Sequence, residues 1–301
     1  MAKSKIVVIG SSNTDMVVQS DHLPVPGETV LGGEFFMNPG GKGANQAVAA
    51  SRFGGDVIFI SRLGNDIFGE KYRDILKKEK ISTGHVYTDP DAASGIALIT
   101  VDSKGENAIV VAPGANSRLD RSDIDKAEKE FKGAEFFLLQ LEIPIDTVIY
   151  AAQKASKSGK KVVLNPAPAQ ELPEELLKSL YIITPNETEA EMLSGIQVND
   201  IDSARSAAWA IRKRGVDVVI ITMGSRGAYI YSDEVEIHVP ASEVTARDTT
   251  AAGDVFNGAL VVALAEQLPL SEAVQLANNA ASLSVTKLGA QASAPYREEV
   301  K

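Results

Sequence analysis

Asp248-Thr249-Thr250-Ala251-Ala252-Gly253-Asp254 runs straight into the apolar segment Val255–Gln267. A segment apolar on nearly every side predicts a buried helix, which places the heptapeptide at that helix's start. Small residues at Ala251, Ala252 and Gly253 leave backbone N–H groups uncovered there. Such a terminus attracts anions through its unpaired donors and its dipole. Asp254 adds a carboxylate in the same place. An anion-holding turn beside a fixed carboxylate is what phosphoryl transfer to a hydroxyl needs: one part holds the moving phosphate and the other receives the acceptor's proton. A helix N-cap accounts for Asp254 equally well, and the heptapeptide does not separate the two readings.

The frame around this helix comes from the order of the other segments. Ile6–Ile9, ending at Gly10, is a short β-branched run of the kind buried on both faces of a parallel sheet. From Val57 onward strand-like and helix-like segments alternate. Val57–Ile60 is followed by helices over 66–79 and 120–131, Phe136–Leu141, a helix over 145–157, Val162–Leu164 and Ile182–Thr184. Helices over 187–193 and 202–214 and the strand Val218–Thr222 come next. Alternation of this kind predicts a doubly wound, mostly parallel α/β sheet flanked by helices, in one domain over 1–301. Two stretches depart from it. Met16–Val18 and Thr29–Met37 are strand-like around Pro24, Pro26 and Gly27, and Gly95–Val101 with Asn107–Ala112 reads as a hairpin. Segments 14–38 and 94–113 are therefore expected to pair into a small β lid that excludes water from a site.

Composition removes whole classes of function. A chain of 301 residues, 44% hydrophobic and 23% charged, buries a large core, and its formal net charge of −10 argues against a nucleic-acid surface. ATP held by backbone N–H groups needs no basic patch and stays open. Without cysteine there are neither disulfides nor thiolate metal sites, and His22, His85 and His238 are too scattered to form a centre. No apolar run reaches ~18 residues, and Met1–Lys5 leads directly into a strand, so a cytoplasmic protein with no membrane partner is expected.

The strand ends carry the remaining candidates, because ligand crevices of such sheets lie there. Asn13 and Asp15, two apart after the first strand, face one side, although Asx residues also simply make turns. Pro39-Gly40-Gly41-Lys42-Gly43-Ala44-Asn45 is a glycine-rich loop entering an alanine-rich helix. It is neither a Walker A sequence nor a dinucleotide fingerprint, and it suits either close backbone approach to a ligand or a tight turn. Glu142 follows a middle strand, and Asn165-Pro166-Ala167-Pro168 follows the next. Asn186 and Glu189 have capping-box spacing, with contacts to water, Mg²⁺ or phosphate as the functional alternative. Thr222-Met223-Gly224-Ser225-Arg226-Gly227 suits a phosphate edge or a hairpin turn.

Each feature alone is ambiguous, but their order, from Asn-x-Asp through Gly-Gly-Lys-Gly-Ala-Asn to Asp-Thr-Thr-Ala-Ala-Gly-Asp, resembles the ribokinase/PfkB family of sugar kinases. The similarity covers nearly the whole chain and is most specific over Gly40–Ala50 and Asp248–Gly258. The resemblance implies transfer of phosphate from ATP to O5 of D-ribose. It assigns Asn13, Asp15, Gly41, Lys42, Asn45 and Glu142 to the sugar, Asp254 to the role of base, and Ala251, Ala252 and Gly253 to the anion hole. Asn186, Glu189, Thr222, Gly224, Ser225 and Gly227 match the ATP and Mg²⁺ side, with Gly253 adjoining. Asn278 matches a position near adenine where some members carry histidine. An activating K⁺ would be held by Asp248 and carbonyls at Thr250, Ser284, Lys287, Gly289 and Ser293. A homodimer formed through the lid is also implied. The rival readings are a family kinase for another sugar or a nucleoside, a non-catalytic sugar-binding regulator, and a nicotinamide-dependent oxidoreductase. The last is opposed by Gly10-Ser11-Ser12-Asn13, which lacks the glycine fingerprint.

Overall fold

The computed structural model describes residues 5–300; the lead-in Met1–Ser4 and Lys301 lie outside them. The first half of the chain forms β1 (Lys5–Ile9), β2 (Asn13–Gln19), β3 (Phe35–Gly40), α1 (Lys42–Arg52), β4 (Asp56–Gly64), α2 (Ile67–Lys78), β5 (Ser82–Asp89), β6 (Gly95–Val101) and β7 (Asn107–Ala112). Next come α3 (Arg121–Lys126), α4 (Glu128–Phe131), β8 (Ala134–Leu139), α5 (Ile145–Lys157), β9 (Lys161–Leu164), α6 (Glu174–Leu177), β10 (Ile182–Ile183), α7 (Glu187–Ser194) and α8 (Ile201–Arg212). The chain closes with β11 (Val218–Thr222), β12 (Ala228–Tyr231), β13 (Glu236–Val239), α9 (Ala252–Ala265), α10 (Leu270–Ser284) and α11 (Ala290–Ser293).

Nine strands make one sheet in the order β13-β12-β11-β10-β9-β8-β1-β4-β5, parallel from β11 to β5 and antiparallel at the β12 and β13 edge. β1 lies inside it, paired with β4 on one side and β8 on the other. Its side chains alternate between two cores, as the two-residue period of a strand demands. Ile6 and Val8 join the core shared with α1, α9 and α10, whereas Val7 and Ile9 join the core packed by α5 and α8. Both faces are covered by helices, which is why the central strands read as continuous apolar runs.

The segments outside the alternation do pair, although far apart in sequence. A second sheet has the order β3-β2-β6-β7, with β2 and β6 parallel from Asn13↔Gly95 to Gln19↔Val101. Two expectations need correction. The strand read from Thr29 begins only at Phe35, because Gly33 and Glu34 both pair with Gln19, the Gly33 N–H donating to the Gln19 carbonyl and the Gln19 N–H to the Glu34 carbonyl, and this two-against-one pairing ends the regular ladder. The helix expected over 120–131 breaks at Ala127 into α3 and α4, an arrangement in which Ile124, Ala127 and Phe131 are all buried.

The meeting of α1 with α9 positions the site. A Cβ built on Gly258 would lie 2.6 Å from the Ala49 Cβ and 2.8 Å from both the Ala50 nitrogen and the Gln46 carbonyl oxygen. Only glycine permits this backbone-to-backbone approach. It brings the first turn of α1 against the first turn of α9, one turn before Gly258, where Asp254 lies.

Candidate active site

Asp254 is buried in the first turn of α9, and both of its oxygens accept from side-chain amides on α1. Asn45 Nδ2 donates to Oδ2 at 3.0 Å and Gln46 Nε2 to Oδ1 at 2.9 Å. The helix is entered through Ala251, which has a left-handed φ of 61° and no capping side chain. Asp254 is thus not the N-cap of its helix; its carboxylate is turned to α1. The N–H groups of Gly253 and Asp254 donate to no acceptor among the described residues, whereas the Ala252 N–H, expected to be uncovered, donates to the Thr249 carbonyl at 3.3 Å, so the free donors lie further into the helix than the small residues suggest. Asn257 Nδ2 donates to the Gly253 carbonyl at 2.8 Å and Thr184 Oγ1 to Asn257 Oδ1 at 2.7 Å, which ties this turn to the end of β10.

The glycine-rich loop is held just as tightly. Gly41 has φ 88°, and a Cβ there would meet the Asn13 nitrogen at 2.6 Å, so the loop lies directly on the end of β1 and the start of β2. The Lys42 N–H donates to Glu142 Oε2 at 3.0 Å, and Ser11 Oγ donates to the same oxygen at 2.5 Å. Asn13 Oδ1 accepts from Asn116 Nδ2 at 2.8 Å. Asp15 packs over Gly40, where a Cβ would meet its carboxylate.

Four carboxylates, Asp15, Glu142, Glu189 and Asp254, influence one another around a single cation, Lys42. Burial, with Glu142 and Asp254 adding, pushes Asp15 up to about 7. Burial also raises Asp254, and it outweighs the opposing pull of Lys42, Asn45 and Gln46. Glu189 is raised by burial against the Asn186 N–H and Lys42. Burial alone would lower Lys42, but Asp254, Glu142 and Glu189 reverse this and keep it protonated. Carboxylates and amides with one ammonium suit a neutral, hydroxyl-rich ligand, whereas a sugar phosphate calls for clustered arginine.

Asp254 also lines a cleft of about 180 Å³, together with Lys42, Asn165, Thr184, Asn186, Glu189, Thr222 and the turn Ala251–Gly253. Asn186 and Glu189 form a complete capping box at the start of α7, and Asn186 bridges to Thr222. Gly224, Ser225 and Gly227 are not on the walls of that cleft. They form the turn after β11, and a Cβ on Gly227 would lie 2.2 Å from the Val239 carbonyl oxygen, so the turn reading accounts for this glycine. Asn278 is buried on α10 and donates to the Val239 and Pro240 carbonyls at 3.0 and 3.4 Å.

The Asp248 carboxylate joins two loops, accepting from the Thr250 N–H at 2.9 Å and from the Gly289 N–H at 2.8 Å. Burial alone would raise it, but these hydrogen bonds prevail and hold it below the usual carboxylate range. The Lys287 N–H donates to the Ser284 carbonyl at 3.0 Å, while buried Ser293 closes α11 through Oγ and the Ala290 carbonyl. Among the described residues no cluster of three or more His, Asp or Glu side chains is arranged to hold a metal ion.

Sequence reading passed over Gln46, Asn116, Gln140 and Asn257. Two of them left a signal. Gln46 is an amide beside Asn45 in a helix otherwise full of alanine, and Asn257 interrupts an apolar run three residues after Asp254.

The pfkB family carbohydrate kinase model matches residues 3–297. A ribokinase of Haemophilus influenzae is 44% identical over 99% of this chain and 97% of its own length. A deoxyribokinase of Salmonella typhi is 38% identical over 98% of this chain and 96% of its own. The structure of Arabidopsis thaliana ribokinase complexed with ribose and ATP superposes with a TM-score of 0.88 at 32% identity, covering 99% of this chain and 97% of that one. No helix among the described residues is long and apolar enough to cross a membrane. With its whole length matched and its fold shared, the chain is a member of the pfkB family of carbohydrate kinases.

Proposed function

We propose that the chain transfers the γ-phosphoryl group of ATP to O5 of D-ribose, giving D-ribose 5-phosphate and ADP. The observation that carries this reading is the position of the Asp254 carboxylate. It stands beside the free N–H groups of its own turn, between the carboxylate and amide cluster around Lys42 and the cleft edged by Asn186, Glu189 and Thr222. Asn13, Asp15, Gly41, Lys42, Asn45 and Glu142 bind the sugar in this account. Ala251, Ala252 and Gly253 hold the charge that develops on the transferred group, while Asn186, Glu189, Thr222, Gly224, Ser225, Gly227 and Asn278 bind ATP.

A hydroxyl at the Asp254 carboxylate loses its proton to that carboxylate as O5 bonds to the γ-phosphorus and the bond to the ADP oxygen breaks. A carboxylate is a weak base for an alcohol. Because the transition state is loose, proton transfer comes late, and Asp254 chiefly orients O5 and stabilises its developing charge. Mg²⁺ would be held through water by Glu189 and Asn186 and would neutralise the phosphates, which the surrounding carboxylates otherwise repel. The donor set offered by Asp248 and the carbonyls of Thr250, Ser284, Lys287, Gly289 and Ser293 has one negative charge, which fits K⁺ better than a divalent ion. Such an ion would fix the loop that leads into the anion-holding turn.

The small sheet is read as a lid and as the dimer contact, in a single-domain cytoplasmic enzyme. Met37, Met16, Leu98 and Val110 are direct cross-strand partners and therefore share one face of that sheet. Met37, Leu98 and Val110 are 43%, 50% and 67% exposed, and an apolar row of this size suits a second copy of the chain.

An ADP-release assay across D-ribose, 2-deoxy-D-ribose, D-fructose and nucleosides, with NMR of the product, tests the reading. Ribose is expected to give the highest kcat/KM with phosphate on O5. A higher value for 2-deoxyribose or a nucleoside, or phosphate on another oxygen, would overturn it.

A further inference from the structure

To act as base, a buried carboxylate surrounded by others must be kept ionised and in one orientation. We propose that Gln46 is the positioning residue of the transfer: its side-chain amide, oriented in turn by Gln140, holds the Asp254 carboxylate in the orientation that receives the sugar hydroxyl. This inference rests on the ribose-phosphorylating function proposed above.

Gln46 is fully buried in the first turns of α1. Its Nε2 donates to Asp254 Oδ1 at 2.9 Å and to Asn165 Oδ1 at 3.0 Å, so both amide hydrogens are committed. Its Oε1 accepts from Gln140 Nε2 at 2.5 Å. The opposite amide orientation would set Oε1 against two acceptor oxygens and turn an NH₂ group toward the NH₂ of Gln140. Asn165 is fixed the same way, because its Nδ2 donates to the Thr184 carbonyl at 3.4 Å and leaves Oδ1 for Gln46. Gln140 contributes at a cost: its own Oε1 is buried with no hydrogen-bond partner among the described residues. The ends of β8 and β9 thus dictate which end of the Gln46 amide meets Asp254.

The charged groups facing Asp254 are Lys42 on α1, Asp15 on β2, Glu142 after β8 and Glu189 on α7. Three of the four are acidic and disfavour a charged Asp254. Asn45 and Gln46 are neutral donors that favour its charged form without competing for the sugar as a second lysine would. Removing the Gln46 amide leaves Oδ1 unpaired, free to rotate and easier to protonate.

The experiment compares wild type with Gln46→Met, close in size but without donors, and with Gln140→Met, which does not touch Asp254. Steady-state kinetics for ribose, kcat against pH, and the ribose dissociation constant by calorimetry are measured on each. For Gln46→Met we expect ribose affinity within about threefold of wild type and kcat lower by about 10- to 100-fold. The acid limb of the kcat profile should move up by about one pH unit. Gln140→Met should move both in the same direction by less. An unmoved pH profile in both variants, or a loss confined to ribose affinity, would overturn the role of Gln46; if Gln46→Met does not fold, Gln140→Met decides alone. A wild-type protein that phosphorylates no sugar would instead refute the function on which the inference rests.

Discussion

Replacing Gly258 with alanine perturbs the active site without altering any functional side chain in it. The new Cβ would stand 2.6 Å from the Ala49 Cβ, and 2.8 Å from a backbone nitrogen and a backbone oxygen of α1. Carbon atoms rest at about 3.5–4.0 Å, and backbone atoms cannot swing aside, so α1 and α9 must separate by about 1 Å. That displacement stretches the bonds from Asn45 and Gln46 to Asp254, now 3.0 and 2.9 Å, to about 4 Å, where neither survives. Stability responds weakly, because overpacking costs about 1–3 kcal/mol while the gain in helix propensity from Gly to Ala returns about 1 kcal/mol. For a chain of this size the melting temperature should therefore fall by only about 0–6 °C. Activity responds strongly, since misplacing a reacting group by about 1 Å costs on the order of 100-fold in kcat. Thermal unfolding and steady-state kinetics on the same Gly258→Ala preparation check both numbers. A variant whose kcat stays within about twofold of wild type would refute the claim that close packing of the two helices sets the geometry of Asp254.

Proton release should accompany ribose binding. Asp15 is pushed up to about 7 in the free protein, and sugar hydroxyls donating to it favour its ionised form. The stability linked to this raised carboxyl is fully present below the ordinary pKa of 3.8 and is lost as pH rises through about 7. Ribose affinity should accordingly rise about tenfold between pH 6 and pH 8, with release of about half a proton at pH 7, measured by calorimetry in buffers of different ionisation enthalpy. Pure K⁺ replaced by Na⁺ or Tris should lower kcat in steady-state assays, and equal rates in all three would remove the cation from the loop of Asp248 and Gly289. Leu98→Asp places a charge in the exposed apolar row of the small sheet, and sedimentation should show the wild type at the mass of the proposed dimer and the variant at that of a monomer. An unchanged mass would move the interface elsewhere.

The sequence disclosed the helical and parallel-sheet frame because its periodicities are local: a strand buried on both faces is a run of β-branched residues, and an amphipathic helix repeats every three to four. Even the pairing of segments 14–38 and 94–113 is legible, since both interrupt an otherwise regular alternation, although which of their strands meet is not. Boundaries shaped by neighbours were not. The strand that ends at Gly40 starts late because Gly33 and Glu34 both pair with Gln19 and break the ladder there, and 120–131 breaks at Ala127 while keeping its apolar side chains inward. At the site, Asp254 reads equally as cap or base in the sequence; Ala251 at the N-cap removes the cap reading, and the two amides that α1 directs at the carboxylate come from more than half the chain away. Gln46 and Gln140 were invisible for the same reason: an amide takes its role from what it faces. Gly227 carries the opposite lesson: a glycine in such a turn suits a phosphate edge or a tight turn, and its contact with the Val239 carbonyl requires glycine whether or not a phosphate lies there.

Asp254→Asn tests the central claim most directly. The amide keeps the shape of the side chain but cannot take the proton of O5. Ribose binding by calorimetry should remain within about threefold of wild type, while kcat with ATP falls by several orders of magnitude, roughly 10³-fold or more. Retention of a substantial fraction of wild-type kcat in Asp254→Asn would contradict the account.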